Sequence, residues 1–358
     1  MCSDRTARAY LVLEDSTVFS GFSVGAKGTT IGEVVFNTCT ASYEEVLSDP
    51  TYYGQIVAQT YPLVGNRGIG AAGNIVANGY IVHEWCDAPS GVRGETLDAY
   101  LKRLGIIGIS GVDTRSLTRK LRGKGYVKGA ITDSLEEMNR LLEEIRRYSI
   151  RGAVAAVTVE KQEVLLAPNP RYKVAVIDYG SPRSLIEALL RRGCTVYRMP
   201  AGTTADELKR SAVQAVVFSD GPGDPDDNPS LIQNIREILP MNLPFIGIGL
   251  GHQMAALALG GKIEKMVRGH RGSNQPVKRI QDGRLFVTTQ NHGYCVADKS
   301  LDPSLAEVSM VNVNDGSIEA VKLLQYPGET YQFTPVDSAE LTGTGSIYDD
   351  FITRIEEA

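Results

Sequence analysis

No apolar run of about 18 residues occurs in this 358-residue sequence, so no segment reads as a membrane-spanning helix. Its first residues, MCSDRTARAY, lack the apolar core of a signal peptide, which makes a cytoplasmic chain the expectation. The five cysteines, Cys2, Cys39, Cys86, Cys194 and Cys295, are odd in number and show no C-x-x-C spacing. That pattern argues against a disulfide framework and a zinc site and leaves free thiols. Only four histidines are present, His83, His252, His270 and His292, and none is paired at H-x-x-x-H spacing, so neither a metal nor another cofactor is expected. A G-x-x-x-x-G-K-[ST] phosphate loop is also missing, so the chain advertises no nucleotide chemistry of its own. Net charge is −5 with scattered basic residues, which argues against general nucleic-acid binding. The densest basic cluster, Arg119 to Gly129 (RKLRGKGYVKG), offers at most a docking face for an acidic partner.

What is present is a two-part pattern. A chain of this length with 42% hydrophobic residues can bury more than one core. Up to about residue 130, short β-rich runs (AYLVLED, GEVVFNT, QIVAQTY, GYIVHEW) alternate with glycine turns, as in an antiparallel or mixed sheet. A helix follows, opened by Ser134 and Glu137 at capping-box spacing, with Leu135, Met138, Leu142 and Ile145 on one face. Residues 159–172, with two prolines and little periodicity, read as a linker. That division gives an N-terminal domain over 1–158 and a C-terminal domain over 173–358.

From Lys173 the pattern is strand then helix, repeated. KVAVIDYG is the continuous apolar run of a buried parallel strand, and SLIEALLRRG is a helix closed by Gly193. CTVYRMP, AVVFSDGPGDP and PFIGIGLG supply further strand endings, so an open α/β sheet is expected, with any ligand beyond the carboxyl ends of its strands. The glycine-rich endings at 221–225 and 247–251 are the expected site. Later runs alternate again before a final helix from Ser346 to Glu357, and no internal repeat is seen.

One ending, FIGIGLGHQM, has the outline of a nucleophile elbow, yet its apex is Gly249, which has no side chain to attack anything. Together VFSDGPGDP, GIGLGHQMAALALGGK, RGHRGSNQPVK and TTQNHGYCVA resemble the successive motifs of a class I glutamine amidotransferase domain. The earlier stretches GEVVFNTCTASYEEVLSDPTYYGQIVAQTYPLVGN and GVDTRSLTRKLRGKG resemble the domain peculiar to the small subunit of carbamoyl-phosphate synthetase. The resemblance implies an α/β fold throughout. A mixed α/β small-subunit domain would precede an amidotransferase domain with an open, mostly parallel sheet and helices on both faces. It also implies a ligase subunit in pyrimidine or arginine biosynthesis, partnered by a large ATP-binding subunit.

In that family the elbow cysteine attacks the glutamine amide, a histidine takes the thiol proton, and a glutamate orients the histidine. Here Gly249, Thr334 and Val336 stand in those three places, so the catalytic positions hold none of the required groups. By the same resemblance Gly221, Gly223, Leu250, Gln253, Asn291, Gly293 and Tyr294 match positions that hold glutamine or its oxyanion. Cys39 stands where the family has a serine that helps hold the substrate. The glycines fit either a retained glutamine pocket or turns the fold needs regardless of ligand. His252 and His292 match positions of framework histidines. Three readings stay open: a non-hydrolysing small subunit serving an ammonia-dependent partner, a regulatory or scaffold protein outside the synthetase, and a hydrolase with a relocated nucleophile such as Cys39.

Overall fold

A computed structural model of the chain describes residues 6–39, 43–69, 75–87, 95–123, 126–337 and 343–358. Cys2, part of the basic cluster (124–125) and part of the segment following Val336 (338–342) lie outside the described residues. The chain divides into two compact units, Met1–Arg151 and Gly152–Ala358. Among the described residues no helix is long and apolar enough to cross a membrane.

In the first unit seven strands close into a barrel, in the order Arg8–Leu13, Val18–Gly25, Ile107–Ser110, Gly79–Ile81, Gln55–Gln59, Thr30–Asn37 and Val127–Thr132. Three neighbouring pairs are parallel and the rest antiparallel, so the barrel is mixed. Its walls are apolar on both faces, which is why these strands read as continuous hydrophobic runs. Val34, Phe36, Ile56 and Ala58 join one buried cluster, while the alternating Val35 and Val57 join another with Tyr52, Tyr80 and Tyr100.

The helix expected after residue 134 starts later and without the capping box. It spans Met138–Arg147, and Glu137 at its N-cap makes no side-chain cap. Thr132 explains the difference: its Oγ1 donates to the Ser134 carbonyl at 3.0 Å and accepts from the Ser134 N–H at 3.3 Å, which ties this segment into a local turn. Glu137 instead pairs with Arg140. Leu141, Leu142 and Ile145 form the buried face, packed with Val12 and Ala130, while Leu135 and Met138 sit at its margin.

The second unit is built on a ten-stranded sheet. Five strands run parallel in the order Cys194–Pro200, Tyr172–Asp178, Ala215–Phe218, Phe245–Ile248 and Gly328–Tyr331. Antiparallel strands continue it, ending in the long hairpin of Ile263–Arg279 with Leu285–Val296. Residues 159–172, read as a linker, contribute the edge strand Glu163–Leu165, antiparallel to Cys194–Pro200. The central strands are covered on both faces. Val174 and Val176 pack with helices Arg183–Arg191 and Ser346–Glu357, whereas Ala175 and Ile177 pack with Pro229–Ile238 and Leu250–Ala258. Period-2 alternation with both faces buried produces the unbroken apolar runs of the sequence.

Candidate functional site

Three adjacent parallel strands set the site. Val216, Val217 and Phe218 align with Phe245, Ile246 and Gly247, and Gly247 and Ile248 align in turn with Thr330 and Tyr331. Their carboxyl ends therefore lie side by side, and the residues just beyond them, Asp220, Gly249 and Thr334, meet although far apart in sequence. This is the edge where open α/β sheets carry their ligands.

At the middle strand end the chain makes the elbow. Gly249 has φ +53° and ψ −109°, a conformation that strains any residue with a Cβ, and helix Leu250–Ala258 starts immediately after it. The Gly249 N–H bonds to the Tyr331 carbonyl at 2.8 Å, and the Gly251 N–H to the Ser219 carbonyl at 3.1 Å, so backbone from both neighbouring strand ends holds the turn. The elbow keeps its sharp geometry with no side chain at its apex.

The space an apex side chain would need is taken by Asp220. A Cβ on residue 249 would lie 2.0 Å from Oδ1 and 2.5 Å from Oδ2 of that carboxylate. Oδ1 accepts hydrogen bonds from the N–H of Gly221 at 2.7 Å and of Leu250 at 3.0 Å, while the Thr334 hydroxyl makes a long 3.4 Å contact to Oδ2. Gly221 is needed here for close approach, since a Cβ would fall 2.3 Å from the Tyr179 carbonyl oxygen. Sequence reasoning missed Asp220; its one signal was an acid directly before the GPG turn at a strand end.

The other expected residues are distributed around this centre. Leu250 presents its N–H and buries its side chain. The Gln253 side-chain amide donates to the Tyr294 carbonyl at 2.9 Å and to Gln332 Oε1 at 3.0 Å, lacing the elbow helix to strand Leu285–Val296 and to the residue just past strand Gly328–Tyr331. Asn291, Gly293 and Tyr294 lie on strand Leu285–Val296, opposite the segment that carries Lys265, His270 and Arg271. Gly223 sits in the turn at φ +94°. Val336 is fixed by its backbone: its N–H donates to Thr344 Oγ1 at 3.0 Å. Cys39 belongs to the first unit, buried in the cluster with Tyr43 and Tyr52, its N–H bonded to Asn37 Oδ1 at 2.7 Å and its carbonyl accepting from Gln59.

The histidines hold framework positions. His252 is fully buried, its Nδ1 2.8 Å from Thr330 Oγ1, and burial pushes its pKa down to about 3, so it stays neutral. Although no metal spacing is visible in the sequence, His270, His292 and Glu319 come within 4.8 Å of one another, because neighbouring strands bring distant positions together. That donor set has the chemistry to hold a divalent cation. In the structure the Gln290 amide bridges all three: Oε1 lies 2.8 Å from His270 Nδ1 and from His292 Nε2, and Nε2 donates to Glu319 at 2.8 Å. Burial lowers the His270 pKa, but Glu319 and Asp315 outweigh it and leave the net shift upward; burial and the neighbouring His270 hold His292 well below its usual value.

The thiols of the second unit are poor nucleophiles. Burial pushes Cys194 up to about 11, and burial with Glu264 pushes Cys295 up to about 12, so both are protonated at neutral pH.

Strand ends, elbow and N–H donors together define an amidotransferase-type domain, and comparison with known proteins bears this out. Residues 175–353 match the family "Glutamine amidotransferase class-I". Residues 11–131 match "Carbamoyl-phosphate synthase small chain, CPSase domain". The carbamoyl phosphate synthase small chain of Fusobacterium nucleatum is 40% identical over 351 residues, 97% of this chain and 98% of that protein. That of Bacillus caldolyticus is 41% identical over 362 residues, covering 97% and 96%, and that of Staphylococcus haemolyticus 38% over 356, covering 98% and 96%. The chain belongs to the carbamoyl-phosphate synthase small chain family.

Proposed function

We propose that this chain is a small subunit that does not hydrolyse glutamine and that supports a large ATP-binding subunit forming carbamoyl phosphate from bicarbonate, ATP and free ammonia. One observation carries the reading: the place of the attacking side chain at Gly249 is filled by the Asp220 carboxylate. A thioester needs a nucleophile at that apex, a base within hydrogen-bond reach and free oxyanion donors. Here Thr334 and Val336 bring neither an imidazole nor a carboxylate, and the Gly221 and Leu250 N–H groups already bond to Asp220. The raised Cys194 and Cys295 thiols argue against a relocated nucleophile in this unit. A cytoplasmic site of action follows from a partner of this kind.

The test is copurification followed by assay. The chain should bring down a large ATP-binding chain, and the complex should make carbamoyl phosphate with ammonia but not with glutamine. Isolated chain should show glutaminase activity at background. Equal rates from the two nitrogen sources overturn the reading, and recovery without any ATP-binding partner favours a scaffold outside the synthetase.

A further inference from the structure

We propose that Asp220 is the built-in ligand of the elbow's anion-binding hole, and that its carboxylate in that place requires glycine at 249, since it forbids any residue with a Cβ there. The proposal rests on the reading above that glutamine chemistry is absent, and extends it from a missing nucleophile to a site that is filled.

The geometry is that of a bound carboxylate. One oxygen of Asp220 accepts two backbone N–H bonds, at 2.7 Å from Gly221 and 3.0 Å from Leu250, and the other faces the Thr334 hydroxyl. Leu250 is the first residue of helix Leu250–Ala258, where its N–H has no partner within the helix and the dipole favours a negative charge. Backbone donors fixed by a turn and a helix start are what an oxyanion hole consists of. A group bound through them from outside would have to displace an internal carboxylate that loses little entropy on binding.

The coupling to Gly249 is steric. A Cβ at 249 would fall inside the contact distance of all three terminal atoms of Asp220, at 2.0 to 2.5 Å, so any larger residue must expel the carboxylate and break its N–H bonds. Replacing Gly249 therefore incurs backbone strain and the loss of the Asp220 bonds together. Restoring cysteine at 249 while keeping Asp220 therefore sets the new Cβ directly against the carboxylate.

The test is made on the full chain by thermal melting, with the excised side chain offered back as acetate. In Asp220→Gly, acetate should raise the Tm saturably by about 4 °C or more over an equal concentration of chloride, because a ligand specific for the native state stabilises it. Wild-type protein should not respond. Gly249→Ala should lower the Tm by at least about 4 °C more in the wild-type background than in Asp220→Gly, since residues in contact are not additive. If Gly249→Ala does not fold in the wild-type background but folds in Asp220→Gly, the coupling stands on that result. Acetate acting on both proteins or on neither, or losses that simply add, overturns the proposal. Glutaminase activity in wild-type protein would sink the functional reading through a separate readout and leave the melting comparison intact.

Discussion

Two strand ends of the same sheet use an aspartate in the same way and to different effect. Asp178 closes Tyr172–Asp178, and Asp220 lies just past its neighbour Ala215–Phe218. Asp178 is fully buried, accepting from the N–H groups of Val159, Gly180 and Ser181 at 2.9, 3.2 and 2.7 Å, with Arg198 at 3.0 Å. Asp220 is half-buried; it gathers two N–H donors and a threonine hydroxyl, and it faces a glycine. A carboxylate at a strand end satisfies orphan backbone donors in both cases. Where an arginine closes the other side the result is a structural pin, and where a glycine elbow does, the carboxylate fills the space above the apex.

The largest effect should come from the pin. Asp178→Ala removes one partner of a buried ion pair and strands three N–H groups, so urea denaturation should show a loss of about 3 kcal/mol or more. A loss as small as that of a surface substitution would erase the distinction between the two strand ends.

A second prediction separates the two ends by pH, because the elbow side depends on a neutral histidine. With His252 at about 3 in the folded chain against about 6.5 unfolded, the unfolded state binds the extra proton between these values. The His252 contribution is thus complete above about pH 6.5 and is lost as pH falls toward 3, at roughly 1.4 kcal/mol per pH unit within the window. His270, shifted upward, contributes in the opposite sense: its stabilisation is present below its unfolded value and fades as pH rises through the folded one. Stability measured from pH 7 to pH 4 should fall less steeply in His252→Gln than in wild type. Parallel curves would show that His252 is not the group responsible.

The smallest effect is expected at Thr334. Its contact to Asp220 is long, and Thr334→Val should change stability by less than about 1 kcal/mol, leaving the elbow in place. A larger loss would mean that the hydroxyl, and not the two N–H groups, is the main support of the carboxylate.

Much of this was legible in the sequence because it depends on local pattern. The run from Phe245 to Ile248, the glycine apex and the helix after it follow from apolar continuity and turn chemistry, and the motifs pointed to Gly249, Thr334 and Val336 as the three places to inspect. The start of helix Met138–Arg147 was misjudged because the Thr132–Ser134 turn competes with a cap whose spacing looked right. Residues 159–172 hid a strand because three residues show too little periodicity to register.

By itself, then, the sequence determined two α/β parts, the family motifs and a turn with glycine at its apex, since each is written in neighbouring residues. Only the tertiary structure decided that Asp220 fills the space above Gly249, and that His270, His292 and Glu319 converge on Gln290. Both arrangements are set by the register between strands that are distant in the chain, and that register appears in no local run of residues.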